Sequence, residues 1–452
     1  MAAARGELVL DEIWSWELAA NCSRAVQVFF LQLDNNHIIN TLVMYALGPL
    51  AEPFSYRLPA VLASTVGLIF GYLLGRKRGA GLPVLLLLSF SYVLILYGSE
   101  ARGYAYLTGF TLAAWWFLEE FLERPRFWWR VGFAVTCTLG FLSQLPFAFA
   151  YAGFFVYSAI KLYQKRHWMQ ALLMLHLWPT LAILAVYLFY VDGLVKGGGE
   201  KLELGQTVLA AFSLVVGGPQ LAPWAYASAA VSLVLIVAAC LAEFKHDTAR
   251  GLLVTVAMFV APAGVIAASG FQFVYPRHFL VPMIFAYVTS GCLLAAWWRR
   301  GKVGRSAVVL LLGAFCLLNA LPVARLVIGT RSPDADAFRW VAEHSPQGPI
   351  TISGDHNFRV GRPLIYFFVR HGAELKQQGK LLTFVDNTEV PAEGTDWLLR
   401  HTPSEWDLPH DSTTVDTKQN RYVLRQVFPA TSLSGFGWWI YQREATETAE
   451  PE

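Results

Sequence analysis

The chain has 452 residues, 55% of them hydrophobic and only 15% charged, with a formal net charge of +3. A soluble domain carries about 25% charged residues, so this depletion, with a mean hydropathy of +0.44, points to a polytopic α-helical membrane protein. No basic stripe interleaved with stacking aromatics is present, which excludes a nucleic-acid module. The five cysteines are scattered and form neither a disulfide framework nor a zinc spacing.

Residues 1–56 form the first polar stretch. It opens with Asp11-Glu12, passes Leu33-Asp34-Asn35-Asn36-His37 and ends at Tyr56-Arg57. Residues 13–33 mix Trp14, Trp16, Phe29 and Phe30 with Glu17, Arg24 and Gln27, an amphipathic pattern suited to a membrane surface. The apolar run 38–50 is too short for a span and is expected to lie along the interface.

From Arg57 the pattern changes to long apolar runs, each able to cross roughly 30 Å of hydrocarbon. Ten spans are expected, near 57–75, 81–97, 104–122, 129–143, 146–162, 169–190, 222–242, 251–270, 279–297 and 305–326. The pair 129–143 and 146–162 has the look of a tight helical hairpin broken at Pro146. Alternate connections are basic: Arg76-Lys77-Arg78; Arg124, Arg126 and Arg130; Lys161, Lys165 and Arg166; Lys245 and Arg250; Arg299, Arg300, Lys302 and Arg305. The positive-inside rule makes that side cytoplasmic. Residues 1–56, the connections 98–103, 143–146, 191–221 and 271–278, and everything after about 326 fall on the other side. Nothing ahead of residues 1–56 would carry them across, so a further span upstream is expected.

Residues 327–452 are expected to form a separate soluble domain. Strand-like runs at 349–353, 381–385, 396–400, 421–428 and 437–442, with helical patterns at 333–344 and 363–378, predict a small α/β sheet. With no Gly-rich phosphate loop, its expected role is structural or acceptor-positioning.

The chemistry-bearing residues gather on the external side. Taken alone, Asp11-Glu12 is a solvated charge pair, and Asp34-Asn35-Asn36-His37 is a turn, since Asn and Asp bond their own backbone. Tyr97-Gly-Ser-Glu100-Ala-Arg102-Gly-Tyr104 is a tight turn between two spans, where ionisable groups are costly and functional by default. Tyr275-Pro276-Arg277-His278 occupies the equivalent place later, and a guanidinium can grip a phosphate in bidentate fashion. Neutralisation of Glu100 by Arg102, and snorkelling of Arg277 to lipid headgroups, are the plainer readings. Lys196-Gly-Gly-Gly-Glu200-Lys201 lacks the frame of a P-loop and is expected to be a flexible loop over the site.

In this order the features resemble the GT-C superfamily of membrane glycosyltransferases, near the bacterial protein O-mannosyltransferase and ArnT branch. The likeness runs through Asp11-Glu12, Asp34-Asn-Asn-His37, Phe54-Ser-Tyr-Arg57-Leu-Pro-Ala60, Tyr97 to Tyr104, Tyr275-Pro-Arg-His-Phe-Leu280 and Ser432-Leu-Ser-Gly-Phe-Gly-Trp438. It implies an inverting hexosyl or pentosyl transferase working at the external face of the inner (plasma) membrane. The donor would be a polyprenyl-phosphate-linked sugar, and the acceptor a lipid, a glycan or a protein. Asp11 stands at the position of the family's base, with Glu12 beside it. Asp34, His37, Arg57, Glu100, Arg102, Tyr104, Tyr275, Arg277 and His278 would bind substrate, and Asp34, His37 and His278 would ligate a divalent metal where one is used. The chain departs from the family in having Ile38-Ile39-Asn40 where many members carry Pro-Pro-Leu.

A transporter or flippase for a lipid-linked substrate is the alternative. It would place ionisable groups mid-span and show an internal repeat. The spans carry almost no midplane charge, and no repeat is found.

The topology makes a direct prediction. Cysteines introduced at Arg300 and Asn420 should be labelled from opposite faces of the membrane, and same-face labelling would overturn the whole layout.

Overall fold

The computed structural model describes residues 1–163, 165–195, 203–220, 223–268, 270, 274–329, 331–402, 411–429 and 436–444. The expected loop 196–201 and the start of the 432–438 motif lie outside them. In chain order the helices begin with α1 (Leu10–Ala20), α2 (Ile38–Leu47), α3 (Pro53–Arg76), α4 (Gly81–Phe90) and α5 (Tyr92–Gly98). They continue with α6 (Tyr104–Glu123), α7 (Phe127–Ser143), α8 (Phe147–Tyr163), α9 (Trp168–Val191), α10 (Leu204–Val215) and α11 (Trp224–His246). The last are α12 (Thr248–Ala268), α13 (Pro276–Trp298), α14 (Lys302–Ile328), α15 (Asp334–Glu343) and α16 (Asn357–Gln377). Contacts divide the chain into two units: Met1–Ala4, Leu18–Gly48 and Ser55–Arg325 form the first, while Arg5–Glu17, Pro49–Phe54 and Leu326–Glu452 form the second. The polar stretch 1–56 is therefore shared between both.

The first unit is a helical bundle. All ten expected spans fall on helices, but among the described residues only six are long and apolar enough to cross a membrane: α3, α9, α11, α12, α13 and α14. The expected span 81–97 is instead the pair α4 and α5, bent by 65°. Helices α7 and α8 have 17 residues each, about 25 Å at 1.5 Å per residue, short of the hydrocarbon thickness. They are the two arms of the hairpin, joined at Gln144–Pro146. Helix α13 is the inner helix: 72% of its apolar window is buried, against 17–33% for the other five.

A bend at membrane depth exposes backbone groups that lipid cannot satisfy, and here side chains close the gap. Ser91 caps α5, its Oγ accepting from the Leu94 N–H at 3.4 Å and lying 2.9 Å from the Tyr287 hydroxyl. The Tyr92 N–H donates to Asn319 Oδ1 at 2.8 Å, and Asn319 Nδ2 donates to the Phe315 and Val216 carbonyls. One asparagine thus ties the bend to α14 and to the end of α10.

At one end of the bundle the basic connections meet acids. Lys77 pairs with Glu120 at 2.8 Å and Glu123 at 3.1 Å, Arg78 with Glu243, Lys161 with Asp247 at 2.6 Å and Arg250 with Glu119 at 2.9 Å. Tyr157 donates to both Glu119 oxygens at 3.2 Å. Three of the five basic connections, those of Lys77 and Arg78, of Lys161 and of Arg250, thus meet acids at this end.

The second unit is built on a six-stranded sheet of order β2-β1-β3-β6-β5-β4, with β1 Gly348–Gly354, β2 Lys380–Phe384, β3 Trp397–Thr402, β4 Thr413–Val415, β5 Arg421–Phe428 and β6 Gly437–Arg443. β1 runs parallel to β2 and β3, with α16 as the crossover, and the remaining pairs are antiparallel. Alternation buries one face: Ile350, Ile352, Leu399, Trp438 and Ile440 pack with Phe338 of α15 and Leu364 and Phe367 of α16.

Asp334 is buried at the start of α15, where Trp438 Nε1 donates to its Oδ1 at 2.7 Å. Burial lifts its carboxyl from 3.8 to about 6. The native state thus holds this proton more tightly than the unfolded chain. Its contribution to stability is present at low pH and is lost as pH rises from about 4 to about 6, a difference on the order of 3 kcal/mol. Asp334→Asn keeps the acceptor and removes the titration. It should melt higher than wild type at pH 7.5 and flatten the melting temperature between pH 4 and 6 in full-length protein in detergent; equal melting at pH 7.5 would refute the assignment.

Candidate active site

The site at the other end of the bundle is built on the turn between α5 and α6. Ser99 closes α5 by donating to the Ile95 carbonyl at 2.6 Å, and the Arg102 N–H donates to the Glu100 carbonyl at 2.8 Å. Asn40, fully buried on α2, donates through Nδ2 to the Ala101 carbonyl at 2.6 Å. The turn is therefore held from α2, far away in sequence.

His37 completes that hold. It precedes α2, and its Nδ1 accepts from the Gly103 N–H at 3.0 Å while its Nε2 lies 2.7 Å from the Gln144 side-chain amide in the hairpin turn. Burial first, and then the Arg102 and Arg277 guanidinium groups, hold the imidazole well below its usual range, so it is neutral at pH 7. Gly103 permits the approach: a Cβ there would sit 2.1 Å from the Ser143 carbonyl oxygen and 3.1 Å from His37 Cβ.

Around this clamp the expected substrate residues assemble. Arg102 is buried, donates to Asn35 Oδ1 at 3.0 Å, stands 3.9 Å from Glu100 and lies over the Tyr104 ring at 4.9 Å. Tyr104 packs in turn on Tyr97 and on His37. Arg277 lies over the Tyr275 ring at 4.5 Å in the first turn of α13, where the His278 N–H bonds the Tyr275 carbonyl. Arg102 and Arg277 thus bring positive charge to one place beside a buried neutral ring, with His278 next to them.

Other expected residues have different surroundings. Arg57 is fully buried and donates to the Ala4 carbonyl at 3.2 Å, an anchor for the chain's start. Asp34 is exposed, while the carbonyls beside it at Leu33 and Asn36 accept from the Tyr190 hydroxyl. Among the described residues no three His, Cys, Asp or Glu side chains are placed to hold a metal ion. The set Asp34, His37 and His278 does not fit one, since both His37 nitrogens already face protein groups.

Asp11 and Glu12 belong to the second unit. Glu12 is buried and its Oε2 accepts from the Val9 N–H at 2.9 Å, which closes the first turn of α1 as in a capping box. Asp11 stands one position earlier and is partly exposed. Two residues of the clamp, Gln144 and Tyr190, carried no sequence signal beyond standing in or beside external connections. Asn35 and Asn40 lay within the quoted stretches but were not singled out.

A polytopic bundle with cations gathered on one turn, joined in one chain to a small mixed sheet, is an arrangement also found among solved proteins. Two solved structures of ArnT from Cupriavidus metallidurans share it. The apo form matches with a TM-score of 0.53 at 13% identity, over 99% of this chain and 95% of that one. The form bound to undecaprenyl phosphate matches at 0.51 and 13%, over 99% and 96%. No protein-family model matches the chain, and no curated protein does. This chain is a multi-pass membrane protein with the ArnT fold.

Gly103→Ala should force the hairpin turn away from His37 and cost about 1–3 kcal/mol, as overpacking does. A lower melting temperature together with new reactivity of His37 toward diethyl pyrocarbonate is expected; wild-type values for both would argue against the close contact.

Proposed function

We propose that this chain is an inverting glycosyltransferase of the inner (plasma) membrane, moving a sugar from a polyprenyl-phosphate carrier to a lipid, glycan or protein acceptor outside the cytoplasm. The gathering of the Arg102 and Arg277 guanidinium groups around the His37 clamp, with His278 beside them, carries the reading. Such a group suits a lipid phosphate at the interface, and the fold is shared with a protein solved with undecaprenyl phosphate bound.

In this reading the acceptor's hydroxyl or amine attacks the anomeric carbon as the bond from that carbon to the phosphate oxygen breaks. Polyprenyl phosphate leaves with the bonding electrons, and a single displacement inverts the centre. Arg102 and Arg277 stabilise the charge that grows on the departing phosphate, where charge-assisted hydrogen bonds are strong. Glu100 and Asn35 set the pose of Arg102. Asp11 takes the acceptor's proton, while the Glu12 carboxylate is committed to capping α1. No step runs through a metal.

The test uses purified protein and a panel of undecaprenyl-phosphate-linked sugars with membrane lipid extract as acceptor, reading release of undecaprenyl phosphate. Arg102→Ala and Arg277→Ala should each weaken undecaprenyl phosphate binding about 10- to 100-fold, more than the Lys variants do. Unchanged affinity in both Ala variants would remove the phosphate assignment. Asp11→Asn should bind undecaprenyl phosphate normally and lose about 10²–10⁴-fold in turnover; near-wild-type transfer would move the base to Asp34.

A further inference from the structure

Four residues of α16 recur every fourth position: Phe358, Arg362, Tyr366 and Arg370. That spacing sets them along one stripe of the helix, and the whole stripe meets the N-terminal strip of the same unit. Phe358 packs edge-to-face on Trp14 at 5.1 Å. Arg362 pairs with Glu17 and lies over the Phe358 ring at 5.2 Å. Tyr366 packs edge-to-face on Trp16 at 5.1 Å and donates to Glu7 Oε2 at 3.2 Å. Arg370 donates to the Ala51 carbonyl and to Glu52, both at 3.0 Å, and stands 3.8 Å from Glu7.

Helix α1 has 11 residues, below the length at which a helix persists unaided in water. Its orientation must come from what it leans on. Trp14 and Glu17 are three apart and share a face, and Asp11 stands one turn ahead of Trp14 on the same row. Trp16 adds a further tie, donating from Nε1 to the Pro49 carbonyl at 3.0 Å. A roll of α1 about its axis would carry Asp11 with it.

We propose that the α16 stripe is the seat that aims Asp11, which makes Arg362 and Tyr366 positioning residues for transfer. The orientation of the helix that carries Asp11 is then set within its own unit. This rests on the reading of Asp11 as the base.

The experiment is a charge-exchange cycle at Glu17 and Arg362 in the full-length protein. It compares Glu17→Arg, Arg362→Glu, the double exchange and Arg362→Lys, each assayed with the undecaprenyl-phosphate-linked sugar that wild type turns over, and each melted. Misplacing a reacting group by about 1 Å can cost about 10²-fold, so each single reversal should lower kcat about 10- to 100-fold. KM for the donor should stay near wild type, because the phosphate cations are untouched. The double exchange and Arg362→Lys should recover most of kcat. Should the reversals fail to fold, Tyr366→Phe serves instead: it keeps the ring on Trp16, loses the bond to Glu7, and should lower kcat severalfold at unchanged KM.

Wild-type kcat in the folded variants overturns the proposal. So does a double exchange that regains melting temperature without regaining kcat, because the pair is then only structural. If Asp11→Asn turns over at the wild-type rate, the base reading falls and this proposal with it. If Asp11→Asn is inactive while the folded Arg362 and Tyr366 variants are fully active, the seat alone falls.

Discussion

A neutral imidazole bonded on both sides is the joint on which the candidate site depends. His37 reaches the Gly103 amide through one nitrogen and the Gln144 amide through the other. It thereby ties the loop before α2, the turn between α5 and α6, and the hairpin of α7 and α8 into one body. Were the ring to charge, its Nδ1 would become a donor facing another donor, and a third cation would join Arg102 and Arg277. Burial and the surrounding positive charge both oppose that. The cations gathered beside the ring also keep it in the protonation state that holds the joint.

The bundle treats charge differently at its two ends. Where the basic loops collect, cations are matched with acids: Glu119 receives Arg250 and Tyr157, Glu243 receives Arg78, and Asp247 receives Lys161. Around His37, Arg102 bonds the Asn35 amide at 3.0 Å, stands 3.9 Å from Glu100 and lies over the Tyr104 ring, while Arg277 lies over the Tyr275 ring.

Much of this was legible in the residues, because length and periodicity are local properties. All ten apolar runs became helices, and the five strand-like runs became strands, since alternation of buried and exposed positions needs only neighbours. Strand β4 was missed: three residues at a sheet edge carry no period. The bend at Ser91 was missed because an unbroken apolar run conceals it, with neither proline nor glycine at the break and a single capping serine as its trace. Membership of Arg5–Glu17 in the second unit was unreadable for a deeper reason. It depends on Trp14 meeting Phe358 and Glu17 meeting Arg362, pairings across more than 300 residues that no local pattern announces. Gln144 was hidden similarly, a lone polar residue whose importance lies in what folds against it.

The bend at Ser91 also bears on how the protein is made. Its Tyr92 N–H is received by Asn319, 227 positions further on, and its capping Ser91 hydroxyl meets the Tyr287 hydroxyl. At about 5–20 residues per second, translation needs on the order of 10–45 s to reach that asparagine. Until then the kinked segment leaving the ribosome lacks the Asn319 bond to its Tyr92 N–H, and an unkinked helix, which bonds that amide internally, competes with it in lipid. The turn that carries Arg102 is thus set late in biogenesis, after nearly the whole bundle has been inserted.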